Sequence, residues 1–416
     1  MSESPESLGV RIYLRRAMTM VLSPPAEISA RVAALQSKLR ELDIDLAILS
    51  ENSDLYYYSG SIQPLYLLVP AAGTPVALAR KALTRIQTEV MGSAIEAFHG
   101  TKDLAAIIEK HGLGKAKRIA FTLDTVSYAS VDRFLKLIVG AEAVDIAWTI
   151  RTLRMIKSEN ELSRVRESAR ILSGLPDLVK SVFRPGMTEL ELSAPIEHYF
   201  RQSGHGAIIR CRREGVDMSS SGVLSSGANS LEGTKFDGIC VGKGLSPGAP
   251  YGSSTERIEP GVPIIMDYAV TIDGYHSDQT RMASWGAPSH EVMRAYEAMR
   301  RIETAISVKL RSGAICEDLY SESLRMAEEL GYADTFMGIG TERVRFVGHG
   351  VGLEMDEPPY LAPKMKYPLE GGMTVAIEPK VALPGIGVIG IEDTFEITSG
   401  EPTLLTACSP EFIILG

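Results

Sequence analysis

The chain has 416 residues, 45% hydrophobic and 23% charged, with 52 acidic against 43 basic side chains and a net charge of −9. At roughly 100–200 residues per domain this length suggests two or three domains with room for a sizeable core, and the composition excludes a largely disordered chain. The acidic balance, with no Lys/Arg-rich block, argues against nonspecific nucleic-acid binding, and no apolar run approaches the ~18–20 residues that span a bilayer.

The N-terminus carries Glu3 and Glu6 and no secretory-type apolar run, so a cytoplasmic protein is expected. The cysteines, Cys211, Cys240, Cys316 and Cys408, are scattered and suit neither a disulfide framework nor a thiolate zinc site. The first ~25 residues lack periodicity and read as an arm or loop. Helical spacing over Ile28–Leu42 leads into a short apolar strand ending at Leu49. Further strand-like runs are Leu65–Val69, Pro75–Ala79 and Arg118–Phe121, with helical stretches at Asp103–His111 and Ser130–Ile138. This alternation predicts an α/β domain over 1–153.

A second domain, 154–416, is predicted to open with a capping box at Ser158 and Glu161 and a helical pattern running to about Val182. Thr188 and Glu191 repeat the device at the next helix. Arg184-Pro-Gly186-Met-Thr-Glu189-Leu-Glu191-Leu192 then parallels Arg311-Ser-Gly313-Ala-Ile-Cys-Glu317-Asp318-Leu319 at an offset of 127 residues, and Gly204 matches Gly331. Identities are few, but the order of elements is the same, which favours a duplicated unit of two helices and a sheet.

Acidic residues stand where apolar ones are expected. Asp273-Gly274 between β-prone runs signals a two-residue hairpin, which would place Ile272 opposite Tyr275 and Asp267 opposite Thr280, with Asp278 diagonal to Asp267 on one face. Pairing about Gly385 would set Glu378 opposite Glu392. Like charges facing each other in apolar sequence are costly, and a divalent cation removes the objection. His349, one of only seven histidines, sits among Gly348, Gly350 and Gly352 and completes a hard, oxygen-rich set. Four carboxylates and an imidazole suit two ions such as Mn²⁺, Co²⁺, Fe²⁺ or Zn²⁺. Two ions sharing a water would supply a hydroxide near neutral pH and polarise a carbonyl. Taken singly each residue has an ordinary structural explanation: Asp267 could cap a turn, Glu378 could close a strand, and His349 could be a satisfied loop histidine.

These residues resemble the creatinase/prolidase/aminopeptidase P group of metallopeptidases. The resemblance is carried by Asp267 and Asp278 within Gly-Tyr-x-Ser-Asp-x-Thr-Arg, by Gly348-His-Gly-Val-Gly352, by Ala-Ile-Glu378-Pro and by Ile391-Glu392-Asp393-Thr394. It extends to Leu49–Gly60, like the opening of that group's N-terminal domain, and to Arg154–Glu159, like its interdomain junction. It implies an α+β protein: a creatinase-like α/β domain followed by a "pita-bread" domain of duplicated ααβ halves. It also implies a dinuclear Xaa-Pro dipeptidase or aminopeptidase, commonly a homodimer, with manganese, cobalt, iron and zinc all open as the metal. In such an enzyme a metal-bridging hydroxide attacks the peptide carbonyl, and Glu378 both binds metal and moves protons.

The surrounding polar groups depart from that pattern. Tyr251, Arg345 and Asp356 stand where the family has histidines, and Gly390 replaces an arginine before Ile-Glu-Asp. Tyr keeps a donor but loses a group that charges near pH 7, Arg installs a fixed cation, and Asp reverses the sign. The three are candidate substrate-binding residues, with an Arg345–Asp356 ion pair as the structural alternative. Phe236–Tyr251 is expected to shape a different pocket wall. Arg210, Arg212 and Arg213 read as a solvated face, and Cys211 as a buried filler rather than a nucleophile. Retained ligands with altered surroundings leave two other readings open. One is a small-amide or amidine hydrolase, or a lyase, on the same fold. The other is an inactive binding module, disfavoured because empty carboxylates would repel without compensation.

Overall fold

A computed structural model describes residues 22–212, 221–235 and 237–416; the N-terminal arm up to residue 21, Arg213 and Phe236 lie outside the described residues. The chain divides into two compact units, one ending at Leu153 and the other spanning Arg154–Gly416.

The first unit alternates helix and strand: α1 (Pro25–Glu41), β1 (Leu46–Leu49), α2 (Asn52–Ser59), β2 (Tyr66–Pro70), β3 (Val76–Ala79), α3 (Leu83–Glu89), β4 (Ala94–Ala97), α4 (Thr101–Lys110), β5 (Arg118–Phe121), α5 (Tyr128–Leu137), β6 (Glu142–Asp145) and α6 (Ala147–Leu153). Its six strands lie in the order β4-β3-β2-β1-β5-β6. Strands β1, β2 and β3 are wholly buried and β5 is buried beyond Arg118, which is why they read as apolar runs. The edge strands β4 and β6 keep only half-buried or exposed positions, and their mixed sequences gave no strand signal.

The second unit begins with α7 (Glu159–Leu172), whose capping box at Ser158 and Glu161 is formed. The helical pattern expected to run to Val182 is broken at Ser173-Gly174, and α8 (Leu175–Val182) follows. Gly174 packs under Tyr199 there: a Cβ would lie 2.4 Å from the tyrosine hydroxyl and would displace it. Next come α9 (Glu189–Gln202), β7 (Gly222–Ser226), β8 (Pro263–Ile272) and β9 (Tyr275–Trp285). The second half repeats the order with α10 (His290–Ser307), α11 (Cys316–Glu329), β10 (Gly348–Gly350), β11 (Glu357–Leu361), β12 (Thr374–Ile377), β13 (Lys380–Leu383), β14 (Gly387–Gly390), β15 (Asp393–Glu396), β16 (Thr403–Leu404) and β17 (Ile413–Leu415). α9 and α11 are offset by 127 residues at both ends, as the internal repeat requires.

Two sheets carry the halves, β17-β9-β8-β7 and β11-β10-β12-β15-β16, with β13-β14 as a separate ribbon. Each has its own apolar core: Leu192, Ile196 and Phe200 of α9 pack with Met266 and Tyr268 in the first, while Ile302 and Ile306 of α10 pack with Val375 and Ile389 in the second. The halves meet at an isolated antiparallel bridge between Thr280 and Glu392.

Candidate metal centre

The first acidic pair is placed by an extended hairpin. Asp273 and Gly274 both have positive φ, 48° and 87°, matching a type I′ turn. The turn sets the register Ile272↔Tyr275, Asp267↔Thr280 and Ala269↔Asp278. Asp267 and Asp278 therefore share one face, as anticipated, and Asp278 is almost fully buried.

The second pair arises where a hairpin is interrupted. Ile377 pairs with Asp393 and Lys380 with Gly390 in the same register, so Glu378 and Glu392 face one another across the break. Pro379 supplies the break because it has no amide hydrogen to donate to a ladder. The Glu378 amide instead donates to the Val347 carbonyl at 3.0 Å, tying this corner to the strand that carries His349. Gly348 and Gly350 flank that histidine for lack of space: a Cβ on either would come within 2.5 Å of a carbonyl oxygen, of Ala376 or of Pro358.

The bridge between the halves closes the site. Thr280 and Glu392 exchange amide-to-carbonyl hydrogen bonds at 3.2 Å, and the Thr280 hydroxyl donates to Glu392 Oε2 at 2.8 Å. Beside it, Arg281 donates to both carboxylate oxygens of Asp393 at 2.8 and 3.0 Å in a fully buried fork. The Thr394 hydroxyl donates to the Asp278 carbonyl at 2.8 Å and accepts from its amide. All five expected ligands are thereby brought to the junction of the two halves.

One participant was missed from sequence. Lys380 is 1% exposed, and its Nζ lies 2.8 Å from Asp267 Oδ2, 2.7 Å from Glu378 Oε2 and 3.1 Å from Glu392 Oε2. The expectation that carboxylates without metal would repel uncompensated is therefore corrected: this ammonium neutralises part of their charge. The signal available was a lone lysine two residues beyond Glu378 on an apolar strand, the spacing that returns a side chain to the same face.

The charges are mutually adjusted. Burial opposes ionisation of Glu378, but Lys380 and His349 outweigh it and hold the carboxyl at about 2. Burial likewise opposes charge on His349, yet the Glu378 carboxylate, 3.3 Å from its Nε2, lifts the imidazole to about 10. Burial pushes Glu392 up to about 7 and Asp278 well above the usual carboxylate range. Glu378 is thus held ionised between two cations, while Glu392 and Asp278 are driven toward neutrality.

The donors fit a divalent ion at one place. Asp278, His349 and Glu392 each offer a ligand atom, all within 4.8 Å of one another. Glu392 Oε1 is buried with no hydrogen-bond partner among the described residues, so it has a lone pair to give. On the Asp267 side the Lys380 ammonium stands among the oxygens.

A cavity of about 100 Å³ opens onto these residues. Asp356 lines it, and so do Asp237–Val241, part of the glycine-containing segment expected to form a wall. Tyr251 is half-buried away from it, and exposed Arg345 lines a neighbouring hollow that shares Asp237 and Phe346. No ion pair joins Arg345 to Asp356 among the described residues. Cys211 lines the cavity instead of filling a core, and buried Cys240 beside it has its thiol pushed well up by burial. Arg212 is not part of a solvated face: its guanidinium is buried 3.2 Å from Glu354, which also pairs with Arg154 at 2.7 Å.

The Metallopeptidase family M24 model matches residues 163–399, and the Creatinase/Prolidase N-terminal domain model matches 31–156. The chain belongs to metallopeptidase family M24. This M24 chain is 26% identical over 389 residues to the uncharacterized peptidase YqhT of Bacillus subtilis, covering 92% of the chain and all of that protein. It is 24% identical over 389 residues to the Xaa-Pro dipeptidase of Pyrococcus furiosus, covering 92% and 99%. The crystal structure of dipeptidase PepE from Mycobacterium ulcerans superposes with a TM-score of 0.79 at 23% identity, over 95% of this chain and all of the other. The architecture is thus the creatinase-like domain plus pita-bread domain that the resemblance implied.

Proposed function

We propose that the protein is a metal-dependent hydrolase of the Xaa-Pro dipeptidase or aminopeptidase type, cleaving a peptide or peptide-like C–N bond in a small substrate. The observation that carries this reading is the convergence of Asp278, His349 and Glu392 on one point beside a cavity, with Glu378 next to them. The names of the M24 relatives, dipeptidases among them, support it.

Asp278, His349 and Glu392 would hold the ion, and the ion's contribution is an activated water and polarisation of the scissile carbonyl. Glu378 lies 3.3 Å from His349 through Oε1 and accepts from Lys380 through Oε2, so it is oriented from both sides. A ligating histidine is neutral. The ion's own positive charge takes the place of the imidazolium's, so Glu378 stays ionised beside it. As an ionised carboxylate oriented from both sides, Glu378 is the candidate to take a proton from the attacking water and return it to the leaving nitrogen. Arg345, Asp356 and Tyr251 are the candidate substrate groups, of which Asp356 alone lines the cavity.

The altered recognition groups favour, as a second reading, a small-amide or amidine hydrolase, or a lyase, using the same centre. The test is release of proline from a panel of Xaa-Pro dipeptides by Mn²⁺- or Co²⁺-loaded protein, with metal-analysed Asp278→Asn as the blank. Rapid release, abolished in the variant, is expected. Absence of release by metal-loaded protein would overturn the Xaa-Pro assignment and leave the second reading.

A further inference from the structure

The ammonium of Lys380 fills the Asp267 side of the carboxylate cluster. A lysine carries three N–H donors and no acceptor. Asp267 Oδ2, Glu378 Oε2 and Glu392 Oε2 accept one each at 2.7–3.1 Å, so every donor is matched in a group that is 1% exposed. The same oxygens would otherwise bind a second divalent cation.

An independent feature shows that the lysine is accommodated by design of the fold. Lys380 and Gly390 are direct partners in the β13–β14 ribbon. A Cβ at position 390 would lie 2.3 Å from Lys380 Cγ and 2.9 Å from its Cβ. The two glycines next to His349 make room for backbone, whereas at Gly390 the tightest approach is the stem of one side chain, with the Pro379 carbonyl oxygen 2.9 Å away beside it. Position 390 is also where the arginine of the resembled pattern is missing.

We propose that Lys380 is a built-in replacement for one of the two cations of the centre, so that each chain binds a single divalent ion, through Asp278, His349 and Glu392. The proposal rests on reading the site as a metal centre. Asp267, which the sequence assigned as a metal ligand, then serves the ammonium instead. Glu378 is shared between His349 and Lys380 and stays oriented without a second ion.

The experiment is metal counting on the full-length protein, stripped with chelator, reloaded with Mn²⁺ and desalted, with elemental analysis and the electron paramagnetic resonance spectrum as readouts. Wild type is expected to hold one ion per chain with the hyperfine pattern of an isolated ion. Lys380→Ala is expected to hold two, with the broadened spectrum of a coupled pair. Asp267→Asn keeps the lysine and is expected to retain one ion, which preserves the test if Lys380→Ala fails to fold. Two ions in wild type, a Lys380→Ala count that stays at one, or loss of an ion in Asp267→Asn would each overturn the proposal. A folded wild-type protein that holds no ion would instead sink the metal-centre reading on which it stands.

Discussion

At the scale of single residues the site is a set of charges that define one another. Lys380 and His349 keep Glu378 ionised, and burial raises Asp278 and Glu392. Gly390 supports this arrangement by absence of volume. Gly390→Ala should cost ~1–3 kcal/mol in a denaturant titration, the usual range for overpacking. The cost should shrink in the double variant Gly390→Ala/Lys380→Ala, because the clashing atoms beyond Cβ are then gone. Arg281 offers the opposite case. Its fork to Asp393 is fully buried, so Arg281→Met strands a carboxylate and should destabilise by ~3–5 kcal/mol. Five acidic and imidazole positions were legible in the sequence because they are anomalous: charge in apolar strands demands a partner. Lys380 was not, since one lysine near a strand start looks like an ordinary surface residue until its register partner is known to be glycine. Arg212 failed for the same reason, its buried partner Glu354 being 142 residues away.

At the scale of elements, the two hairpins show how local code fixes long-range geometry. Asp273-Gly274 dictates a turn, the turn dictates register, and register puts Asp267 and Asp278 on one face. That chain of inference was complete in the sequence. The helical break at Gly174 was not, because glycine within a periodic stretch signals either tolerance or interruption, and the Tyr199 side chain packed against it comes from another helix. The β7–β8 contact is equally tight. A Cβ on Gly222 would lie 2.0 Å from the Asp267 carbonyl oxygen, and backbone cannot swing aside as a side chain can. Gly222→Ala should therefore shift the strand bearing Asp267 and lower the melting temperature, which scanning calorimetry checks.

At the scale of the whole molecule, the halves of the second unit contribute unequally to one centre: Asp267 and Asp278 come from the first, and His349, Glu378 and Glu392 from the second. Bound metal should therefore act as a cross-link, raising stability by ~2.7 kcal/mol at a free concentration one hundred times Kd. Thermal melts with and without Mn²⁺, and with His349→Ala as control, measure it. Acid should act in the opposite sense. Burial depresses His205 from 6.5 to about 4 and His276 from 6.5 to about 3. Both values are below those of the unfolded chain, so for these two groups protons favour unfolding: their contribution is full above pH 6.5 and is lost as pH drops toward 4 and then 3. Glu392, raised to about 7, offsets part of that loss between pH 7 and 4.5, and His349, raised to about 10, loses its contribution as pH rises through that value. Glu378 adds its loss later, between its unfolded value of 4.5 and about 2. Urea midpoints recorded against pH should show the histidine limb first, and His205→Gln should flatten its upper part. No helix among the described residues is long and apolar enough to cross a membrane.

The contact between positions 380 and 390 also ties two substitutions together. A Cβ at 390 would overlap the Lys380 stem, so the pair tolerates bulk on one side only. A library varied at both positions at once should return folded variants in which a larger residue at 390 is matched by a smaller one at 380.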